Sequence, residues 1–278
     1  TSLYISRAIF DNFPTFIENK PIISSASNVP DSHSQFIISP VKPSKPKQSV
    51  FELLKGPYRL NWKAAAWIQF KKNQRVGVFT LPFPASELPP GARIFRTLLV
   101  PEYKPTEIST VWECRIRECV VGTQQKQFLD FDVSYAPTLD GMTFKIMIAW
   151  ASSKGYIIII IDVKNAFQNT IAPPEKRLYV TTPPTYLEWL RTSEDFQYNR
   201  NEKYYRVMIN SSQGTRDAGT QWHYLVVNVF TDYGFKQSTV DKSLFIKPLE
   251  AFDPPEYLVV GVQTDDFCTA GPNSAIIH

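Results

Sequence analysis

Three carboxylates of this chain stand where short apolar runs end. Asp265 and Asp266 lie together between two apolar runs near the C-terminal end, and Asp162 directly follows the run Tyr156–Ile161. Neighbouring carboxylates in a tight turn repel each other unless a cation shares the site. Hard divalent cations take oxygen ligands, and a pair of them can clamp the attacking and leaving oxygens of a phosphoryl transfer. The sequence therefore predicts a two-metal site for nucleotidyl transfer.

An ordinary structural role is the alternative for each of these carboxylates. Asp is common in solvated turns because its side chain hydrogen-bonds the local backbone, so the pair Asp265-Asp266 alone indicates little. Asp162 alone is equally compatible with a plain carboxylate at the end of a strand. The neighbouring motifs decide between these interpretations.

Three motifs follow one another along the chain, and they are Ile161–Asn169, Gln213–Gly219 with Trp222, and Thr264–Asp266. Shorter segments agree with them in position, namely Ser134–Pro137, Arg177–Val180 with Pro183-Pro184, and Asp241–Phe245. Together they resemble the reverse transcriptase, an RNA-dependent DNA polymerase, of copia-type (Pseudoviridae) retrotransposons, most closely the form found in algal and protist elements. The resemblance runs from about Trp62 to the C-terminal end. It implies that the chain is a segment of a longer Gag-Pol-like polyprotein.

The resemblance also implies which residues bind metal. Two Mg²⁺ (or Mn²⁺) ions are expected on the carboxylates of Asp162, Asp265 and Asp266, with the backbone carbonyl of Val163 as a further ligand. These ions would serve transfer of a nucleotide to a primer 3′-hydroxyl.

A nucleotide-binding set is implied in the same way: Val163, Asn165, Ala166, Phe167, Arg117, Lys104, Gln213 and Gly214. The ring of Phe167 would exclude a 2′-hydroxyl and so select deoxynucleotides, whereas its alternative role is core packing. Arg117 and Lys104 would bind triphosphate oxygens, Arg117 through a bidentate fork, whereas an exposed strand position is the alternative for both. Arg216 would meet a phosphate of the RNA or DNA template.

The chain departs from the family pattern at two positions. Val121 precedes Gly122 where an acidic residue is usual, and Ile209–Ser212 stands where the family has an apolar strand. No thumb, connection or RNase H segment follows Asp266, which predicts poor processivity. These departures are compatible with a decayed or domesticated copy.

Composition predicts a folded protein with a weak basic excess. Of 278 residues, 43% are apolar and 14% aromatic, and the formal net charge is +4 with a pI near 8.8. This excess allows a polyanionic partner without requiring one. Basic residues crowd the first third: Lys42, Lys45, Lys47, Lys55, Arg59, Lys63, Lys71, Lys72 and Arg75. Contact with nucleic-acid phosphates and an ordinary solvated face remain equal alternatives for them.

Cysteine usage indicates a reducing compartment. Cys114, Cys119 and Cys268 are an odd number without a CxxC pair, and the histidines are scattered, which excludes a zinc-site spacing. The family implies a cytoplasmic virus-like particle or the nucleus. The run Tyr156–Ile161 is too short to cross a bilayer, and no signal peptide precedes Asp11.

Apolar spacing predicts an α+β fold. One helix is predicted at 62–70, a second between an Asp140 cap and Gly155, and a third from Asp217 to Tyr233, with Gly234 as its stop. Strands are predicted at 94–100, 110–121, 156–162, 245–247 and 258–264, and irregular chain at 184–212. The run before Asp162 suggests a strand buried on both faces, and the helices are expected on one side of a mostly antiparallel sheet.

The resemblance implies the right-hand polymerase architecture, with fingers and palm and without a thumb. Residues 1–50 are predicted to be a linker or upstream segment, 51–135 and 168–212 the fingers, and 136–167 and 213–278 the palm. RNA-directed DNA polymerase is the leading hypothesis. A catalytically idle nucleic-acid-binding fragment and an unrelated Mg²⁺-dependent phosphohydrolase are the alternatives, although the last would not explain Phe167, Gln213-Gly214 or the order of the motifs.

Overall fold

A computed structural model describes residues 35–46, 48–193, 196–250 and 255–273. Its α-helices are α1 Val50–Leu53, α2 Arg59–Val76, α3 Gly141–Ser153, α4 Pro184–Ser193 and α5 Ala218–Asp232. The strands are β1 Phe36–Ile38, β2 Phe83–Pro84, β3 Ile94–Phe95, β4 Thr97–Pro105, β5 Val111–Val120, β6 Ile157–Asp162, β7 Tyr179–Thr181, β8 Tyr204–Val207, β9 Lys236–Gln237, β10 Leu244–Leu249, β11 Glu256–Gln263 and β12 Asp266–Gly271. Short 3₁₀ turns cover Ala85–Glu87, Gly122–Gln124, Ala166–Asn169 and Pro174–Lys176.

The described chain divides into two compact units. Unit 1 comprises Asp132–Thr170 and residues 217–273, and unit 2 comprises residues 35–131 and Ile171–Arg216. The mixture of helices with mostly antiparallel sheets agrees with the predicted α+β class. None of the described helices has the length and apolar content needed to cross a bilayer.

Unit 1 is built on a five-stranded sheet in the order β6-β12-β11-β10-β9, in which every pairing is antiparallel. Val260 and Val262 of β11 pack with the α5 residues Trp222 and Val226, whereas Val259 packs with Met147 of α3. Because successive side chains of a strand point to opposite faces, the two helices lie on opposite faces of the sheet. The expectation of helices on one side only is therefore wrong for this unit.

The isoleucine strand β6 differs from its prediction in burial. It forms the edge of the sheet among the described residues, and Ile160 is 68% exposed. An unbroken apolar run predicts burial on both faces, but the same run fits an edge strand, and periodicity does not distinguish the two. The prediction of a strand buried on both faces is therefore wrong.

The ends of the two helices of unit 1 follow the predicted signals. The Asp140 carboxylate accepts hydrogen bonds from the amides of Met142 and Thr143, which caps the start of α3. Gly155 and Gly234 follow α3 and α5 with φ of 65° and 80°, a backbone conformation that favours glycine. The predicted helix bounds are thus confirmed to within a few residues.

Unit 2 contains two sheets, β1-β5-β4 and β2-β8-β7-β3, the second with one parallel pair, β3 with β7. The hairpin of β4 and β5 corresponds to the predicted strands at 94–100 and 110–121, although β4 begins at Thr97. Strand β1 corrects the predicted linker of 1–50, because Phe36–Ile38 pairs with β5 and Ile37 is buried. Residues 1–34 and 47 of that predicted linker lie outside the described residues.

Within 184–212, the described residues include regular elements, contrary to the prediction of irregular chain. This segment contains α4 and β8, and the α4 residues Tyr186, Trp189 and Leu190 pack with Phe70 of α2 in one core cluster. Their spacing of three and four residues is helical, but the polar residues between and around them obscure this period in the sequence.

A charged network lies inside unit 2. Glu118 of β5 and Arg206 of β8 form an ion pair with exposed fractions of 1% and 0%. Asn73 of α2 donates to the second carboxylate oxygen of Glu118 at 2.9 Å, and Gln69 donates to Asn73 at 2.7 Å. The network therefore joins a helix to strands of both sheets.

Candidate active site

Strand pairing in unit 1 brings two of the predicted metal ligands together. Asp162, the last residue of β6, lies directly opposite Asp266, the first residue of β12. Residues directly opposite in an antiparallel pair project from the same face, with Cβ atoms about 4.5–5.5 Å apart. Both residues are exposed. The sheet thus presents two carboxylates side by side at one end of its edge pair.

The third carboxylate, Asp265, lies in the turn that joins β11 to β12. Gln263 pairs with Asp266, which leaves Thr264 and Asp265 as a two-residue loop. The backbone amide of Val163 donates to the Asp265 carbonyl at 2.7 Å. This hydrogen bond ties the turn to the residue after Asp162.

The three carboxylates suit a hard cation in chemistry and exposure. None of them forms an ion pair or a side-chain hydrogen bond with another residue in the described ranges. Carboxylate oxygens are the ligands that Mg²⁺ prefers. The described residues contain no group of three or more His, Cys, Asp or Glu side chains arranged to hold a metal ion. The structure therefore places two carboxylates together, and a cage of all three stays a prediction.

The segment after Asp162 turns sharply into a short 3₁₀ helix. Asn165 has a φ of 61° and its carbonyl accepts the amide of Gln168 at 2.8 Å. Val163 and Ala166 are buried, while Phe167 is half-buried against the core cluster that includes Trp222. This packing fits the core role considered for Phe167, and it leaves part of the ring accessible to a ligand.

Arg117 and Lys104 lie on the β4–β5 hairpin of unit 2. Arg117 Nη2 lies 2.9 Å from Glu102 Oε1, an ion pair in which both side chains are partly exposed. Burial lowers the pKa of the nearby Lys72 ammonium, and the positive charges of Arg115, Arg117 and Lys104 lower that pKa further. A local cluster of cations thus exists around the hairpin, partly neutralised by Glu102.

Close backbone contacts join the end of β5 to the segment that contains Gln213, Gly214 and Arg216. The Gln213 carbonyl accepts the Val120 amide at 2.9 Å. A Cβ atom on Gly214, whose φ is 94°, would lie 2.2 Å from the Val120 oxygen, and one on Gly122 would lie 2.1 Å from the Gly214 oxygen. The two glycines are therefore required by the protein's own backbone. Arg216 is exposed, and its Nε donates to the Gly122 carbonyl at 3.2 Å.

Two features of the site escaped the sequence interpretation. Trp222 lies in the core cluster of unit 1, and it is also a donor, since its Nε1 lies 2.5 Å from the Thr264 carbonyl oxygen. Thr264 has a φ of 57°, which is unusual for a β-branched residue. A two-residue hairpin loop before Asp266 would have signalled this φ, because both favoured turn types need φ > 0 at their first position.

Comparison with known proteins identifies the family of the chain. Residues 85–278 match the family model described as reverse transcriptase (RNA-dependent DNA polymerase). The chain belongs to this reverse transcriptase family. It is 21% identical over 230 residues to the Retrovirus-related Pol polyprotein from transposon TNT 1-94 of Nicotiana tabacum, and 25% identical over 158 residues to that from transposon RE1 of Arabidopsis thaliana.

These two relatives are much longer than this reverse transcriptase chain. The matches cover 83% and 56% of the chain but only 16% and 10% of the respective polyproteins. The resemblance to a copia-type reverse transcriptase is confirmed, and the chain is an RNA-directed DNA polymerase by family. It is similar to a segment of these two transposon Pol polyproteins.

Proposed function

We propose that the chain extends a primer 3′-hydroxyl with deoxynucleotides on an RNA or DNA template, as part of a Gag-Pol-like polyprotein. The observation that carries the proposal is the placement of Asp162 directly opposite Asp266, both exposed, with Asp265 in the adjoining turn. In this assignment unit 1 is the palm and unit 2 the fingers of a right-hand polymerase.

Asp162, Asp265 and Asp266, with the carbonyl of Val163, would hold two Mg²⁺ or Mn²⁺ ions. Such ions, when bound, lower the pKa of the attacking hydroxyl and neutralise the leaving pyrophosphate. The hydrogen bond from the Val163 amide to Asp265 fixes the backbone that carries these ligands. The protein's own contribution at this point is to hold the carboxylates in place before substrate arrives.

Selection of the nucleotide is assigned first to the segment that follows Asp162. On unit 1, the accessible part of the Phe167 ring would block a 2′-hydroxyl, and the backbone of Asn165 and Ala166 would meet the triphosphate. On unit 2, Arg117 and Lys104 would bind triphosphate oxygens. Arg117 must leave Glu102 to do so, which costs little because an exposed ion pair contributes only about 0–1 kcal/mol.

Contact with the template is assigned to Arg216, and Gln213 and Gly214 before it are assigned to the incoming nucleotide. Arg216 supports this role because it is exposed, and its guanidinium makes one hydrogen bond among the described residues, to the Gly122 carbonyl, which leaves its other donors for a phosphate. Binding to an RNA–DNA hybrid should therefore weaken steeply with salt, with a log–log slope of about 0.9 per phosphate neutralised. Arg216→Glu should reduce this slope, and Arg191→Glu, at the exposed end of α4, should not. A salt series of fluorescence anisotropy titrations measures both, and equal slopes would refute the contact.

A catalytically idle nucleic-acid-binding protein is the second candidate. One observation favours it: the three carboxylates do not form a ready cluster for metal within the described residues. Such a protein would bind the hybrid and fail to extend it.

Primer extension on an RNA template with Mg²⁺ or Mn²⁺ separates the two candidates. The polymerase proposal predicts extension that falls at least about a hundredfold in Asp162→Asn and Asp266→Asn. Asp232→Asn, an exposed carboxylate at the end of α5, is the matched control and should extend normally. Hybrid binding without extension by the unmodified chain would establish the idle alternative, and absence of both would refute both proposals.

A further inference from the structure

The turn that carries Asp265 is held in an unfavourable backbone conformation. Thr264 occupies the first loop position with a φ of 57°. Branching at Cβ makes this region costly, whereas glycine adopts it freely. A conformation of this kind persists only where surrounding contacts determine it.

Hydrogen bonds reach this turn from two other elements of unit 1. The Thr264 carbonyl accepts the indole N–H of Trp222 at 2.5 Å, and the Asp265 carbonyl accepts the amide of Val163 at 2.7 Å. Trp222 lies on α5 and Val163 follows β6. Both carbonyls of the two-residue loop are therefore fixed from outside the hairpin.

The donor from α5 is itself immobilised. Trp222 is 2% exposed, and its ring stacks on Phe267 with centroids 6.2 Å apart and an interplanar angle of 30°. Phe267 directly follows Asp266. One indole thus contacts the hairpin on both sides of the carboxylate pair, through its N–H on the turn and through its ring on β12.

We infer that Trp222 is a positioning residue, which holds the Thr264-Asp265 turn so that Asp265 and Asp266 stay aligned with Asp162 for metal. The part of the inference that concerns metal binding rests on the proposed function. The hydrogen bonds that hold the turn do not depend on it. It predicts that removing the indole N–H loosens the turn even in the absence of nucleic acid.

The test compares Trp222→Phe with Trp150→Phe. Phenylalanine keeps an aromatic ring on Phe267 and removes the donor to Thr264. Trp150 lies on α3 in the same unit, packs edge-on against Tyr156, and makes no described hydrogen bond to the hairpin. Hydrogen exchange of the peptide that contains Val163 and Mn²⁺ affinity by electron paramagnetic resonance are the two readouts.

Loss of one neutral hydrogen bond, about 1 kcal/mol, corresponds to about a fivefold change. Trp222→Phe should therefore exchange about five times faster at the Val163 amide and bind Mn²⁺ about five times more weakly. Trp150→Phe should stay within about twofold of the unmodified chain in both measurements.

A second substitution tests the mechanism. Thr264→Gly in the Trp222→Phe background should restore much of the loss, because glycine adopts the left-handed conformation without support. Equal exchange in Trp222→Phe and Trp150→Phe would overturn the inference, and so would faster exchange that Thr264→Gly does not reverse. If the unmodified chain binds no Mn²⁺, the proposed function fails, and the exchange measurements alone decide the role of Trp222.

Discussion

Replacing Glu118 by glutamine should strongly destabilise unit 2. Glu118 is 1% exposed and accepts from both Arg206, which is 0% exposed, and Asn73. Glutamine keeps one carbonyl oxygen, so one of these acceptor roles survives. The NH2 group of the glutamine side chain then faces an N–H donor of Arg206 or Asn73, and Arg206 remains buried with an uncompensated charge. The rings of Phe79 and Tyr186, 4.3 and 4.5 Å from the guanidinium, offset part of this loss.

The expected cost is about 3–5 kcal/mol, the range found when one partner of a buried ion pair is removed. A domain is typically stable by only about 5–15 kcal/mol. The substitution should therefore remove at least about a fifth of the free energy of unfolding of the unit. Glu102→Gln is the matched control, because its pair with Arg117 is partly exposed and should contribute about 0–1 kcal/mol.

Urea unfolding followed by tryptophan fluorescence measures the difference, since unit 2 contains Trp62, Trp67, Trp112 and Trp189. With a slope of about 3 kcal/mol per molar urea, Glu118→Gln should lower the midpoint by about 1–2 M. Replacing Glu118 and Arg206 together by methionine should cost much less, because no buried charge is left unpaired. A Glu118→Gln midpoint equal to that of Glu102→Gln would refute the argument from burial.

Three further predictions concern other parts of the chain. Gly214→Ala should lower the free energy of unfolding in urea by about 3 kcal/mol, because the added Cβ would overlap a strand carbonyl at positive φ. Gly91→Ala, with φ of 75° and open space around it, should lower it by only about 1–2 kcal/mol. Similar costs for the two substitutions would contradict the close contact at Gly214. Burial raises the pKa of the Cys114 thiol to about 12, so the folded state keeps a proton that an unfolded cysteine releases above about pH 8.5. Stability should therefore fall as pH rises from about 8.5 toward 12, and fall less in Cys114→Ala, as urea midpoints at each pH will show. Phe167→Ala should raise ribonucleotide incorporation relative to deoxyribonucleotide by about 10- to 100-fold in single-nucleotide extension, and an unchanged ratio with activity retained would mean that the ring serves packing alone.

The parts of the fold that local signals determine were predictable from the sequence. Asp140 before an apolar helical pattern and Gly155 after it mark both ends of α3 because capping and left-handed backbone depend on residues in the immediate neighbourhood. The strand that delivers Asp265 and Asp266 was predictable for the same reason. Its period and its turn lie within one short segment.

Features that depend on distant partners could not be obtained in this way. Nothing near Arg206 in the sequence shows that it pairs with Glu118, because the two residues meet only when β8 and β5 come together through the fold. The exposure of Ile160 depends likewise on which strand lies beside β6. The donor role of Trp222 needs the position of Thr264, which apolar periodicity does not supply.

The row of isoleucines in β6 leaves its register against β12 weakly determined by packing. Residues 157–161 are five identical side chains, so packing alone scarcely distinguishes the observed pairing with β12 from one displaced by two residues, which keeps the same side chains on the same face. Such a displacement would carry Asp162 about 7 Å along the strand, away from Asp266. The residues at and after the end of the strand determine the alignment. Asp162 is polar, and the amide of Val163 can donate to the Asp265 carbonyl in only one alignment. The turn of the neighbouring hairpin thereby determines where β6 ends, and we expect a change in that turn to displace Asp162 while leaving the fold intact.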